Sequence, residues 1–337
     1  MSDALLLVSF GGPEGPEDVM PFLRNVTRGR NVPDERLAAV AEHYHHFGGR
    51  SPVNDQIRDL LARLGPALVD AGVELPVYWG NRNWHPLLAD TLRQVADDGH
   101  RHVVALATSA WSSYSGCRQY REDLARAAAD ADVELSIVKI RPFHDHPGFV
   151  EAQVDRARSA LTETEWSGPP QLVFVAHSIP VAMAATSDYA DQVEVAADRV
   201  VERLDTPLAH DLAWCSRSGP PSVPWLEPDV NDHLRALATE GVTNVLLVPV
   251  GFVSDHMEVA WDLDVEAAAT AQQLGMQLVR AASVGTHPAF VDALVDLFSA
   301  AVAGQERRTL ADTPTLSCDE MCCRLPDAAD LPVVAAV

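Results

Sequence analysis

The sequence predicts an α/β fold of two doubly wound halves, each built on a four-stranded parallel sheet flanked by helices. Three observations carry this. Short, near-continuous apolar runs alternate with longer amphipathic stretches along the 337 residues, as expected of strands covered by helices on both faces. Eight such runs divide four and four around Trp166-Ser167-Gly168-Pro169-Pro170, a segment with the composition of a connector. Each half also opens alike, an apolar strand running into a turn with Gly or Ser and a Pro: LLLVSFGGP and LVFVAHSIP.

In chain order, residues 4–10 form the first apolar run. The run is too short to span a membrane and lacks the basic flank of a signal peptide, so it reads as a strand. Amphipathic segments 34–46 and 56–71 follow as helices, then strand 75–80, helix 86–98, strand 102–108, helix 120–131, strand 135–140 and helix 148–162. The second half repeats the alternation: strand 171–177, helix 192–204, strand 211–215, helix 230–240, strand 244–250, helix 259–275 and strand 277–282. A last helix near 288–303 is expected to return to the first half. The domains expected are thus 1–162 and 163–287, with a returning helix in 288–310 and a tail from 311 to 337. That tail is rich in Asp, Pro and Thr and would be a loose arm unless something ties it down.

Composition narrows the function. Asp and Glu number 48 against 25 Lys and Arg, a net charge of −23. Such a chain is a poor candidate for binding nucleic acid or an anionic membrane, and an anionic ligand would need a local basic patch. No apolar run is long enough for a transmembrane helix. Five cysteines occur: Cys117, Cys215, Cys318, Cys322 and Cys323. An odd number without a signal peptide points to the cytoplasm and to metal or redox use rather than a disulfide framework.

In doubly wound folds ligands bind beyond the carboxyl ends of the strands, so chemistry is sought there. His177 ends the strand that opens the second half, where a rigid strand can aim an imidazole as a base or a metal ligand; a backbone-bonded turn histidine is the plainer reading. After strand 244–250 come Ser254-Asp255-His256-Met257-Glu258, then Asp262 and Glu266. Glu258, Asp262 and Glu266 recur every four residues and stack on one helix face. Like charges so spaced destabilise a bare helix, and a carboxylate stripe facing a cleft can conduct protons outward or hydrated cations inward. Asp255 could orient the His256 imidazole. The stretch SRSGPPSVPWLEPD is a rigid wall or lid that carries Trp225. Arg24, Arg28, Arg30, Arg50 and Arg82 fall on presumed loops of the first half, a local basic concentration suited to carboxylates. In the tail, Cys318, Cys322 and Cys323 do not match the CxxC pairs of zinc fingers, but with one distant cysteine they would suit an iron–sulfur cluster.

The stretches VSFGGPEGPEDV, GGRSPVNDQ, HSIP, SRSGPPSVPWLEPDV and PVGFVSDHMEVAWDLDVE together resemble the ferrochelatases, enzymes that insert Fe(II) into porphyrins. The resemblance runs in order from Phe10 to Glu266. It implies two Rossmann-like domains with a porphyrin cleft between them. It also implies His177 and Glu258 as catalytic and iron-binding residues, placed across the macrocycle from one another. Asp255 and His256 are then the supporting pair, and Asp262 and Glu266 the acidic path. Phe10, Arg28, Arg30, Ser51, Arg82, Tyr120 and Trp225 would contact the porphyrin. The segment from Asn25 to Arg30 is similar to that of bacterial enzymes acting on coproporphyrin III, whose four propionates arginines can pair. Some of these enzymes have Tyr at the place of Phe10; phenylalanine cannot coordinate iron, so an axial tyrosinate is excluded. Some family members hold a [2Fe–2S] cluster, which implies Cys318, Cys322 and Cys323 with Cys117, or alternatively Cys215, as ligands. The expected partners are the porphyrin, ferrous iron and haem-pathway enzymes. Competing expectations are insertion into protoporphyrin IX, a related cobalt or nickel chelatase, and a non-enzymatic tetrapyrrole carrier.

Overall fold

The computed structural model describes residues 2–310, 318–325 and 331–337. Strand β1 (Ala4–Ser9) is buried along its whole length and therefore needs a neighbour on both edges. It finds β2 (Val77–Asn81) on one side and β3 (His102–Ala107) on the other, both parallel. β4 (Ser136–Lys139) extends the sheet beyond β3. The second sheet runs β6 (His210–Cys215), β5 (Gln171–His177), β7 (Asn244–Val248) and β8 (Gln277–Arg280), again all parallel.

Each expected strand is present within a few residues of its expected bounds, but among the described residues the first sheet has five strands rather than four. The fifth, β9 (Ala335–Ala336), comes from the tail and pairs with the outer edge of β4. Two alanines carry no periodic signal; backbone groups alone close this edge. The tail is accordingly tied down. Arg141 donates its backbone N–H to the Val337 carbonyl, the Arg121 guanidinium bonds the Val334 carbonyl, and Leu310 is bonded to the Asp145 backbone.

The helices of the first half are α1 (Pro16–Val26), α2 (Asp34–His46), α3 (Val53–Asp70), α4 (Leu88–Asp97), α5 (Gln119–Ala131) and α6 (Pro147–Glu163). Later come α7 (Val181–Ala184), α8 (Tyr189–Val201), α9 (Val230–Thr239), α10 (Met257–Trp261), α11 (Ala268–Leu274) and α12 (Pro288–Ala303). α1 is an addition to the expected set. It starts on Pro16 and contains Pro21, and prolines read from sequence as helix breakers although the first turn tolerates them. Arg24 consequently sits in the last turn of a helix, not in a loop. The expected helix 259–275 is interrupted: π-helical backbone over Asp262–Ala267 separates α10 from α11.

One apolar core joins both sheets. It runs from Leu5 and Leu7 through Ile57 and Leu64 of α3, Phe149 of α6 and Phe290 of α12 to Leu172 and Phe174. The strand order reverses at β5, whose neighbours β6 and β7 follow it in opposite directions across the sheet. Such a switch point opens a crevice at the carboxyl ends of the strands. Among the described residues no helix is long and apolar enough to cross a membrane.

Candidate active site

His177 and Glu258 meet beyond the carboxyl ends of the strands at the switch point. His177 is the last residue of β5, and its Nδ1 is 2.5 Å from the Ser178 carbonyl oxygen. That contact turns Nε2 outward, where it lies 3.5 Å from Glu258 Oε2. Glu258 lies in the first turn of α10, ten residues past the end of β7, the strand next to β5. Neighbouring parallel strands are only about 4.8 Å apart, so the two side chains share one wall. The expectation of a gap between them wide enough for a macrocycle is corrected accordingly: a disc could lie over the pair, not between its members.

Burial opposes charge on His177, but the contact and charge of Glu258 outweigh it and raise the imidazole pKa above its ordinary 6.5. For Glu258, whose side chain is 55% exposed, desolvation pushes the other way, and His177 and His256 outweigh it to hold the carboxyl below its usual range. His256 Nδ1 stands 3.8 Å from the same Oε2, and its own pKa is lowered by burial. Asp262 is raised to about 7, first by burial and then by the charges of Glu258 and Glu266, against a hydrogen bond donated by the Ser216 hydroxyl. The three carboxylates therefore feel one another as a stripe despite the π-helical backbone beneath them. Trp261 covers its outer end. Its Nε1 donates to Glu266 Oε1 at 2.8 Å, and its ring stacks on His43 at 4.0 Å.

Asp255 does not serve His256. Its carboxylate takes both Nη atoms of Arg280 at 3.2 Å, and Arg280 also grips Asp264. The Asp255 backbone N–H donates to Gln56 Oε1 across the two halves. Arg280 ends β8, 25 residues downstream, and no local motif points to it.

The other expected contacts divide. Phe10 follows β1 and is 41% exposed, its ring edge-on to Phe22. Arg28 and Arg30 follow α1 and are exposed. Trp225 pairs its backbone with Pro180, just beyond His177, and its buried indole N–H meets no hydrogen-bond partner among the described residues. Arg82, Tyr120 and Ser51 are not presented to a ligand. Arg82 is buried on Asp123 at 2.5 Å with the Tyr120 ring 4.4 Å beneath it, because an inward-pointing guanidinium needs a carboxylate. Ser51 is buried against the Gly11-Gly12 turn, where a Cβ on Gly12 would meet Ser51 Cβ at 2.6 Å.

The cysteines gather at a second place. Cys318, Cys322 and Cys323 stand close enough to shift one another's pKa values, and Cys117 is close enough to raise those of Cys318 and Cys323 by its charge. Cys117 lies in a π-helical turn, Tyr114–Arg118. Cys215 is elsewhere, buried at the end of β6 beside Asp262. No group of three or more described His, Cys, Asp and Glu side chains is arranged to hold a single metal ion.

The sequence profile of the family described as Ferrochelatase matches residues 2–302. The chain is 50% identical over 326 residues to a protein of Nocardia farcinica named coproporphyrin III ferrochelatase, covering 94% of this chain and 93% of that one. A protein of Mycolicibacterium smegmatis with the same name is 50% identical over 308 residues, with 90% of each chain covered. Among solved structures, SirB from Bacillus subtilis with Fe3+ superposes with a TM-score of 0.55 at 13% identity over 91% of this chain and 99% of that one, a likeness of fold.

Proposed function

Since the chain belongs to the ferrochelatase family, we propose that it inserts Fe(II) into coproporphyrin III, giving coproheme in haem biosynthesis. The single observation that carries the mechanism is the His177–Glu258 pair at 3.5 Å on one wall of the crevice. Insertion delivers one ferrous ion to four ring nitrogens and releases two pyrrole protons. An imidazole and a carboxylate on one wall can hold the iron substrate from one side of the ring. The same wall carries the proton route. Asp262, with its pKa near 7, can take a proton at neutral pH and return it, and Glu266 continues outward. A general base is most effective when its pKa matches the working pH. Iron in and protons out along one stripe keeps the local charge nearly constant.

Coproporphyrin rather than protoporphyrin is supported by the relatives' names and by Arg28 and Arg30, exposed just after α1. Each can pair a propionate bidentately. A cytoplasmic location is supported by five free cysteines.

The test is anaerobic Fe(II) insertion with coproporphyrin III and protoporphyrin IX side by side, for the wild type and His177→Ala. The expected outcome is preference for coproporphyrin III, with turnover abolished in His177→Ala while porphyrin binding persists. Normal turnover in the variant removes His177 from the mechanism. Equal or better use of protoporphyrin IX removes the substrate assignment.

The reading extends to a [2Fe–2S] cluster held by Cys117, Cys318, Cys322 and Cys323. The donor set fits: four thiols gather between the π-helical turn and the tail. Cys117, Cys318, Cys322 and Cys323 would supply the four thiolates that such a centre takes. When bound, the cluster supplies one-electron redox chemistry, which insertion of Fe(II) does not require. A structural or sensing role is the reading adopted.

A further inference from the structure

Four basic side chains of the first half are nearly or fully buried: Arg82, Arg118, Arg121 and Lys139. Two have carboxylate partners: Arg82 on Asp123 at 2.5 Å and Arg118 on Glu122 at 2.8 Å. The other two, Lys139 and Arg121, are each 1% exposed and, among the described residues, meet no carboxylate. Lys139 Nζ donates to the Ile140 carbonyl at 2.9 Å and lies 3.6 Å from Cys117 Sγ. Arg121 Nη1 donates to the Asp319 carbonyl at 2.8 Å and lies 3.3 Å from Cys322 Sγ. Its Nε donates to the Val334 carbonyl. Backbone carbonyls satisfy hydrogen bonds but do not neutralise charge, and an uncompensated buried cation is strongly unfavourable. In a chain with a net charge of −23 carboxylates are plentiful, yet both cations face sulfur.

We infer that Lys139 and Arg121 are the counter-charges of the iron–sulfur cluster, holding it in the fold and raising its reduction potential. This rests on the cluster reading above. Two ferric ions, two sulfides and four thiolates sum to a charge of minus two, which the two cations balance. One-electron reduction converts one Fe(III) to Fe(II), breaks no bond and adds a third negative charge. Cations 3–4 Å from ligand sulfurs therefore favour the reduced form, as hydrogen bonds and charges around such centres generally tune potential. The two cations approach different ligands: Lys139 from β4 faces the internal cysteine, and Arg121 from α5 faces the tail. Arg121 also bonds the tail backbone at Asp319, between Cys318 and Cys322, and at Val334, beyond all three tail cysteines, so it couples the cluster to tail docking.

The test uses the full chain, purified anaerobically, as wild type, Lys139→Met, Lys139→Arg and Arg121→Met. Iron and acid-labile sulfide are assayed, thermal unfolding is recorded, and the midpoint potential is read by paramagnetic resonance during titration with dithionite. Lys139→Met and Arg121→Met should each disfavour reduction by on the order of tenfold, about 59 mV for one electron. Lys139→Arg should stay near the wild type. Loss of the cluster from Lys139→Met but not Lys139→Arg supports the same charge requirement. Unchanged potentials in variants with wild-type iron and sulfide overturn the inference and leave the cluster standing. So does cluster loss from both Lys139 variants with wild-type unfolding, which would assign the site to shape rather than charge. A wild type lacking a binuclear signal overturns the cluster reading itself, and this inference with it.

Discussion

His177 and Glu258 each change the other's acidity, and the direction of the effect is open to measurement. The imidazole pKa is raised because the Glu258 contact and charge outweigh the desolvation that acts against its protonated form. With the carboxylate removed, burial should dominate. The expected outcome is that His177, followed by the carbon-detected ring signals in NMR, titrates above 6.5 in the wild type and below its wild-type value in Glu258→Gln. An unchanged or raised value in the variant would show that the pair does not interact in solution. The linkage to stability has a definite sign. The raised His177 pKa contributes stability that is present below its unfolded value and lost as pH rises through the folded value. The lowered Glu258 pKa contributes stability present above its unfolded value and lost as pH falls through the folded one. The pair is therefore most stabilising in the mildly acidic to neutral window. Asp262 opposes it: its pKa, raised to about 7, makes folding less favourable as pH climbs from the ordinary Asp range toward 7.

At the scale of elements, the site depends on how closely the ends of β5 and β7 approach. Gly251 follows β7 and donates its N–H to the Val175 carbonyl of β5. A Cβ there would come within 2.5 Å of the Ala176 Cβ and 2.6 Å of its Cα. Ala176 immediately precedes His177, and its backbone is locked into pairing with β6, so neither side can yield cheaply. Gly251→Ala should lower stability by about 1–3 kcal/mol, the usual cost of overpacking a filled core, and should slow insertion by displacing the His177–Glu258 pair. Urea unfolding and the insertion assay together check this. Wild-type values in both would mean that the turn relaxes without disturbing the strand. The π-helical stretch Asp262–Ala267 belongs to the same scale. An insertion in a helix shifts the face on which later residues lie, yet Asp262 still senses both Glu258 and Glu266. The stripe is therefore held by tertiary placement as well as by the four-residue spacing.

For the whole molecule the dominant property is charge. A net charge of −23 on 337 residues repels itself in the compact state. Many visible ion pairs, such as Arg24–Asp34 and Arg93–Asp90, are exposed and contribute little each. Screening the repulsion should therefore outweigh weakening the pairs. The melting temperature should rise as sodium chloride increases from about 0.01 to 0.15 M, over which the Debye length falls from about 30 to 8 Å. A melting temperature that falls with salt would show that the surface pairs matter more than the net charge. The same acidity makes the exposed Arg28 and Arg30 stand out as local positive charge, which is why they are proposed to pair propionates.

The sequence by itself determined the alternation of strands and helices, the division into two parallel sheets, and the positions of His177, Glu258 and the carboxylate stripe. These are legible because they are local: buried parallel strands read as continuous apolar runs, and strand ends mark where a doubly wound fold binds its ligand. Tertiary structure alone decided that His177 and Glu258 stand side by side, because strand order, not chain order, makes β5 and β7 neighbours. It likewise decided that Asp255 turns to Arg280, that Arg82 is neutralised by Asp123, and that the two terminal alanines close a sheet edge. Each of these depends on a partner far away in the chain, and a charge or an unpaired edge carries no local mark of what will satisfy it.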